Sequence, residues 1–204
     1  MALDATPEQI AANPSPSGPA PALPPPARRM PATVVTWNCG SLMRQMQPIE
    51  HLIRSKRPDI IFLTETFLLR KHHRYLSKAL AQGYVAHYSS LDTKGRGRPR
   101  GGVAVLVSSK WAHASAIRPW EGTPIPGYLD GLEVCTTDGL SHTLLAAYVP
   151  PGADNEDLAV RVRDALYDAS VAHVDRLVVA GTSTALCPAN ANPPRPATEL
   201  TLNS

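Results

Sequence analysis

A carboxylate placed where a buried strand reaches the surface can hold a hard cation or move a proton, and Glu65 stands at such a point. It ends the run Pro58-Asp59-Ile60-Ile61-Phe62-Leu63-Thr64-Glu65-Thr66, whose unbroken apolar stretch reads as a strand buried on both faces. A plainer reading has Glu65 merely opening the next loop. Asn38 occupies the matching place after Thr33-Val34-Val35-Thr36-Trp37, a β-branched and aromatic run that stops at the turn signal Cys39-Gly40-Ser41. Positive charge collects at Lys94, Arg96, Arg98 and Arg100, on a backbone loosened by Gly95, Gly97, Gly101 and Gly102. Such a loop suits phosphate. Within it Arg96-Gly97-Arg98-Pro99 matches the core of an AT-hook, which inserts two arginines into the narrow minor groove of A·T-rich DNA. A solvated basic loop touching DNA phosphates accounts for the same residues. His72 and His73 are adjacent, so they point apart on a helix and lack metal-ligand spacing; they read as surface residues.

The elements that would position these groups follow from period and punctuation. Ile49, Leu52 and Ile53 repeat at helical spacing between about Gln45 and Lys56, and Pro58 stops the run. Strand, helix, strand is the order of a parallel crossover, so Asn38 and Glu65 leave the carboxyl ends of neighbouring strands and can meet. A weak helical face covers Arg70 to Gln82. Further strands are expected at Tyr84–Tyr88, Val103–Val107, Ala114–Arg118, Leu132–Thr136 and His142–Val149. A long helix follows from Asp154 to His173, capped by Asp154 or Asn155, and a last strand runs from Arg176 to Ala180.

The chain has 204 residues, 43% of them hydrophobic, and 21 prolines. That allows one domain of ordinary size with long irregular stretches. Residues 1–31 read as a disordered Pro/Ala-rich tail, 32–185 as the domain, and 186–204 as a second disordered tail. A net charge of +3 fits a polyanionic partner without requiring one. Cys39, Cys135 and Cys187 form no disulfide or zinc pattern. No apolar run approaches the roughly 20 residues of a membrane span, so a soluble protein of a reducing intracellular compartment, the nucleus included, is expected.

Five segments in order, Thr36-Trp37-Asn38, Thr64-Glu65-Thr66, Arg100 to Val107, Ala147 to Pro151 and Val178-Val179-Ala180-Gly181, resemble the endonuclease/exonuclease/phosphatase family. The flavour is similar to the endonucleases of non-LTR retrotransposons and reverse-transcriptase polyproteins. The resemblance implies a four-layered α/β sandwich that cleaves phosphodiesters with Mg²⁺ or Mn²⁺, here present as its first half plus one strand. It implies Glu65 as metal-binding carboxylate, Asn38 as the neighbouring amide of the metal site, and Tyr148 as a tyrosine near the scissile phosphate. The substrate in the intact family could be DNA, RNA, an inositol phosphate or a sphingolipid; the basic loop with Lys94, Arg96, Arg98 and Arg100, together with the retrotransposon flavour, favours DNA. Intact relatives would add a C-terminal half and a downstream reverse transcriptase.

One departure cuts across this pattern. Where the family has Gly-Asp-x-Asn, this chain has Gly181-Thr182-Ser183-Thr184, and it contains no Asp-His dipeptide. Groups that act as a unit are lost together at great cost, so little or no hydrolysis is expected. Read one base earlier, codons for Gly-Thr-Ser-Thr can spell Asp-x-Asn, so a frameshift near Gly181 would explain the missing motif and leave the tail without structural purpose. Half a two-sheet sandwich would also leave one apolar sheet face bare, favouring aggregation or a molten state.

Overall fold

The computed structural model describes residues 32–73, 83–90, 101–136, 139–183 and 198–202. The basic segment with Lys94, Arg96, Arg98 and Arg100, the N-terminal tail and residues 74–82 of the helix expected over Arg70 to Gln82 lie outside the described residues. Sheet A contains β1 (Ala32–Asn38), β2 (Ile60–Thr64), β3 (Tyr84–Ser89), β4 (Val103–Ser108) and β9 (Thr198–Leu202), in the order β3-β4-β2-β1-β9. Sheet B contains β5 (Ala112–Pro119), β6 (Leu129–Thr136), β7 (Ser141–Val149) and β8 (Leu177–Ser183), in the order β5-β6-β7-β8. Among the described residues two α-helices complete the layers, α1 (Met46–Lys56) and α2 (Glu156–Ala172).

The apolar runs are continuous because both faces of each central strand are covered. On β2, Ile60 and Phe62 face the core shared with Leu132, Val134, Leu144 and Ala146 of sheet B, while Ile61 and Leu63 face Ile49 of α1 and Leu42. On β7, Leu144 and Ala146 face sheet A, while Leu145 and Ala147 meet Val162, Ala165 and Ala169 of α2. The layers are thus helix, sheet, sheet, helix, a four-layered α/β sandwich. The expected bare sheet face does not occur, because residues 32–183 supply strands to both sheets and the two inner faces bury each other.

Both crossovers are parallel as their order requires, β1–α1–β2 with Asn38 level with Thr64, and β7–α2–β8 with Tyr148 level with Thr182. The first helix stops at Arg57, whose φ of 49° forms a left-handed C-cap and whose N–H returns to Ile53 O at 3.1 Å. Asn155 takes the N-cap position of α2, but its side chain makes no capping bond; it donates instead to Pro151 O at 2.7 Å.

Most elements shift by a residue or two at their ends, and three differences from the sequence reading have a physical reason. β6 begins at Leu129, not Leu132, because Asp130 and Gly131 look like breakers yet pair in register with Ala146 and Leu145. β8 continues to Ser183, since Gly181 and Thr182 stay in the ladder opposite Ala147 and Tyr148. The tail expected to be unstructured from residue 186 supplies β9, whose Thr198–Leu202 pairs antiparallel with β1 from Thr36 back to Ala32. These five residues therefore have a structural place.

His72 and His73 are half-buried rather than surface groups. His72 Nδ1 accepts from Leu69 N at 3.3 Å, and the His73 ring lies 5.2 Å from the Tyr88 ring. Burial, then the charges of Arg70, His87 and His72, hold the His73 pKa below its usual value.

Candidate functional site

β1 and β2 end side by side, and the residues leaving them touch. Asn38 Nδ2 donates to Glu65 Oε1 at 3.1 Å, while Asn38 Oδ1 accepts from Gly40 N at 3.1 Å. The second bond fixes the amide's orientation, so its N–H points at the carboxylate. Glu65 itself has a φ of 51°, and Phe67 a φ of 50°. Non-glycine residues rarely adopt this left-handed conformation, and it persists only where surrounding bonds impose it. Here Cys39 N donates to Thr64 O at 2.9 Å, Leu42 N to Thr66 O at 2.9 Å, Thr66 N to Gly102 O at 3.0 Å and Phe67 N to Gly101 O at 3.0 Å. The Glu65 turn is therefore bonded from both sides.

Sheet B closes over the same end. Thr64, fully buried, places its Oγ1 2.9 Å from Thr182 Oγ1. Thr182 therefore stands beside the Glu65 turn, joining the two sheets through a neutral hydroxyl pair. Tyr148 is level with Thr182 on the next strand; its ring is 8% exposed and stacks on Tyr128 with centroids 6.0 Å apart. The structure thus brings Asn38, Glu65, Thr182 and Tyr148 to one end of the sandwich. Cys39, buried in the cluster beneath α1 with Leu42 and Ile49, has its thiol pushed up to about 12 by burial and then by the Glu65 charge, so it stays protonated and unreactive at neutral pH.

Residues that sequence reasoning missed hold this end together. Gly102 N donates to Gly127 O at 2.7 Å, Gly127 N to Ser89 Oγ at 3.1 Å, and Tyr148 N to Tyr128 O at 2.7 Å. The turn from Ile125 to Leu129 thereby ties the glycines that support the Glu65 turn to the tyrosine pair. Its foot is anchored by Asp130, whose Oδ1 accepts from Gly131 N at 2.8 Å and lies 3.0 Å from His87 Nε2 on sheet A. Burial would raise the Asp130 pKa, but His87, the Ser89 hydroxyl and the Gly131 N–H outweigh it and hold the carboxyl below its usual range. The only sequence signal for this network is a lone aspartate inside a strand.

Among the described residues no three His, Cys, Asp or Glu side chains cluster as a metal-ligand group. Among the described residues the site offers a single carboxylate, that of Glu65.

The model of the endonuclease/exonuclease/phosphatase family matches residues 35–181. Comparison with curated proteins gives no match. Among solved structures, an AP endonuclease from Leishmania major superposes with a TM-score of 0.56 at 16% identity, over 74% of this chain and 54% of that one. A humanized TDP2 from D. rerio gives 0.52 at 18% identity, over 74% and 61%. NExo, a 3′ phosphatase from Neisseria bound to a product DNA hairpin, gives 0.52 at 17%, over 74% and 56%. The chain thus spans between about half and two thirds of these neighbours' lengths. With the family model matching most of the chain, and the sandwich shared with these neighbours, the protein belongs to the endonuclease/exonuclease/phosphatase family.

Proposed function

We propose that this chain carries one side of a divalent-ion-dependent phosphodiesterase site and that, as it stands, it engages nucleic-acid phosphate without efficient cleavage. The carrying observation is the pairing of Asn38 with Glu65 beside a Thr64–Thr182 hydroxyl contact in place of a second acid. Mg²⁺ keeps several waters and takes one or two carboxylates beside substrate phosphate, so the donor set fits such an ion through Glu65, with Asn38 orienting it. When bound, the ion would neutralise charge on the phosphate oxygens. Thr182 contributes a hydroxyl already engaged with Thr64, so it neither adds charge nor takes a proton from an attacking water at neutral pH. Tyr148, stacked on Tyr128 and mostly buried, would orient a phosphate oxygen rather than move freely.

DNA is the favoured substrate class. One structural neighbour holds a product DNA hairpin. In this chain the segment bearing Lys94, Arg96, Arg98 and Arg100 enters directly at Gly101, whose carbonyl holds the Phe67 N–H two residues from Glu65. Contact of these cations with phosphate is part of the same proposal and would weaken steeply with salt. Kinship with retrotransposon endonucleases belongs to the same reading.

Two measurements test it. Water-proton relaxation should report Mn²⁺ bound by the wild type and lost in Glu65→Gln, with circular dichroism unchanged; equal Mn²⁺ binding by both overturns the ion site. Plasmid nicking with Mg²⁺ should show no activity above a Glu65→Ala control. Nicking that disappears in the control overturns the inactivity.

A further inference from the structure

The outer face of sheet B holds a cleft of about 310 Å³ between the C-terminal half of α2, β6 and the turn that follows β5. Every residue lining it is among the described ones, and none belongs to β7 or β8. The cleft exists because the face of α2 turned toward β6 carries Ala165, Ala169 and Ala172 at helical spacing, where larger side chains would have filled the space. Opposite them the sheet presents a carboxylate. Glu133 lies between Leu132 and Val134, whose side chains face the core shared with sheet A, so its own faces the cleft.

The walls are negative. Glu121, Glu133 and Asp168 line the cleft, and the lining residues include no Lys or Arg. Arg118 reaches Glu133 from β5, but both of its contacts, Nη2 at 2.7 Å and Nε at 2.8 Å, fall on Oε2. The last turn of α2 carries no basic residue, so its carbonyl end adds to the negative potential. The indole of Trp120 makes an independent demand. Its backbone N–H donates to Gly131 O at 3.0 Å, the residue is 6% exposed, and Nε1 has no hydrogen-bond partner among the described residues. That edge of the ring lies against Gly122, where a Cβ would stand 2.7 Å from Nε1, and both residues line the cleft. A buried N–H left unpaired is costly, and indole N–H groups in such places ordinarily find an acceptor.

We propose that the cleft binds an arginine residue of a peptide, its guanidinium among Glu121, Glu133 and Asp168 and its peptide carbonyl accepting from Trp120 Nε1. Negative walls call for a cation, and the unpaired indole calls for an acceptor a few bonds away. A guanidinium is flat, weakly hydrated and matched to carboxylates, which suits a wall of indole and acid better than an ammonium does. A free amino acid supplies the same cation but adds an α-carboxylate that three acids repel, so the residue belongs within a chain. The volume takes one such side chain and lies at the low end of ligand clefts. None of Asn38, Glu65, Thr182 or Tyr148 lines the cleft, so its occupancy does not rest on the ion site.

The full chain, labelled with ¹⁵N at tryptophan and glycine, tests this by titration with N-acetyl-arginine amide in nuclear magnetic resonance, the Trp120 indole signal being assigned by its cross-peaks to Gly122. The expected result is a progressive shift of that signal, with half-saturation on the order of 1 mM for a ligand of this size. Glu121→Gln combined with Asp168→Asn, both at exposed positions, should weaken binding roughly fivefold with circular dichroism unchanged. N-acetyl-citrulline amide, neutral and of the same shape, should leave the signal in place, and free arginine should bind more weakly than the amide. No shift at about ten times the expected half-saturation, an equal shift with the citrulline amide, unchanged affinity in the double variant, or free arginine binding as tightly as the amide overturns the proposal.

Discussion

Glu65 combines two features that rarely coincide by accident: a left-handed backbone and a side chain bonded to a fixed amide. Backbone strain of this kind costs on the order of 1–3 kcal/mol and gathers at functional positions. Asn38 and Glu65 were legible in the sequence because each ends an apolar run, and chain order alone makes the two strands parallel neighbours. Thr182 was legible only as a missing acid; its contact with Thr64 arises from the packing of two sheets, which no local pattern reveals. Asp130 was not legible at all. Its folded pKa lies below the unfolded value near 3.8, so the stability it adds is present above that value and lost as pH falls through the folded one. At neutral pH Asp130→Asn should therefore cost about 1.5–3 kcal/mol, the range for hydrogen bonds to charged groups. Urea titrations at pH 7 and pH 3 check this, with the difference from wild type shrinking at the lower pH.

At the scale of elements, the decisive piece is the pair Gly101-Gly102, which leads into β4 and whose carbonyls hold Thr66 and Phe67. Gly102 has a φ of 88°, and a Cβ there would run into Thr66 Oγ1 and approach Phe67 N to 3.2 Å. Gly102→Ala thus meets both a conformational and a steric penalty, together about 2–3 kcal/mol. Equilibrium unfolding should show that loss, and Mn²⁺ binding should weaken with it as the Glu65 turn shifts. Most strands and both helices could be read from period and punctuation. What escaped were elements whose local chemistry contradicts their neighbours. β6 opens through Asp130-Gly131, tolerated because the aspartate is bonded to His87 and Gly131. β9 is a five-residue strand in a proline-rich tail, made worthwhile by the edge of β1.

Across the whole molecule, stability rests on one core shared by both sheets, with Phe62, Val105, Leu132 and Leu144 in a single cluster. Neither sheet can shed its inner face without exposing the other's, so unfolding should be a single transition rather than a loss of sheets in turn. Phe62→Ala, at a fully buried position, should lower stability by about 3–5 kcal/mol. Fluorescence and far-ultraviolet circular dichroism should still give coincident curves; separated curves would mean that the sheets fold independently.

The Thr64–Thr182 contact joins residues 118 positions apart in the chain. Such long-range closure is paid in time, because the intervening segments must be organised before it forms. During synthesis, Asn38 and Glu65 can meet as soon as β2 has lined up with β1. The end of the sandwich stays open until β8 emerges and docks more than a hundred residues later. The site is begun early and sealed late, so a nascent or nicked chain ending before residue 182 would carry the acid and its amide with nothing drawn across them.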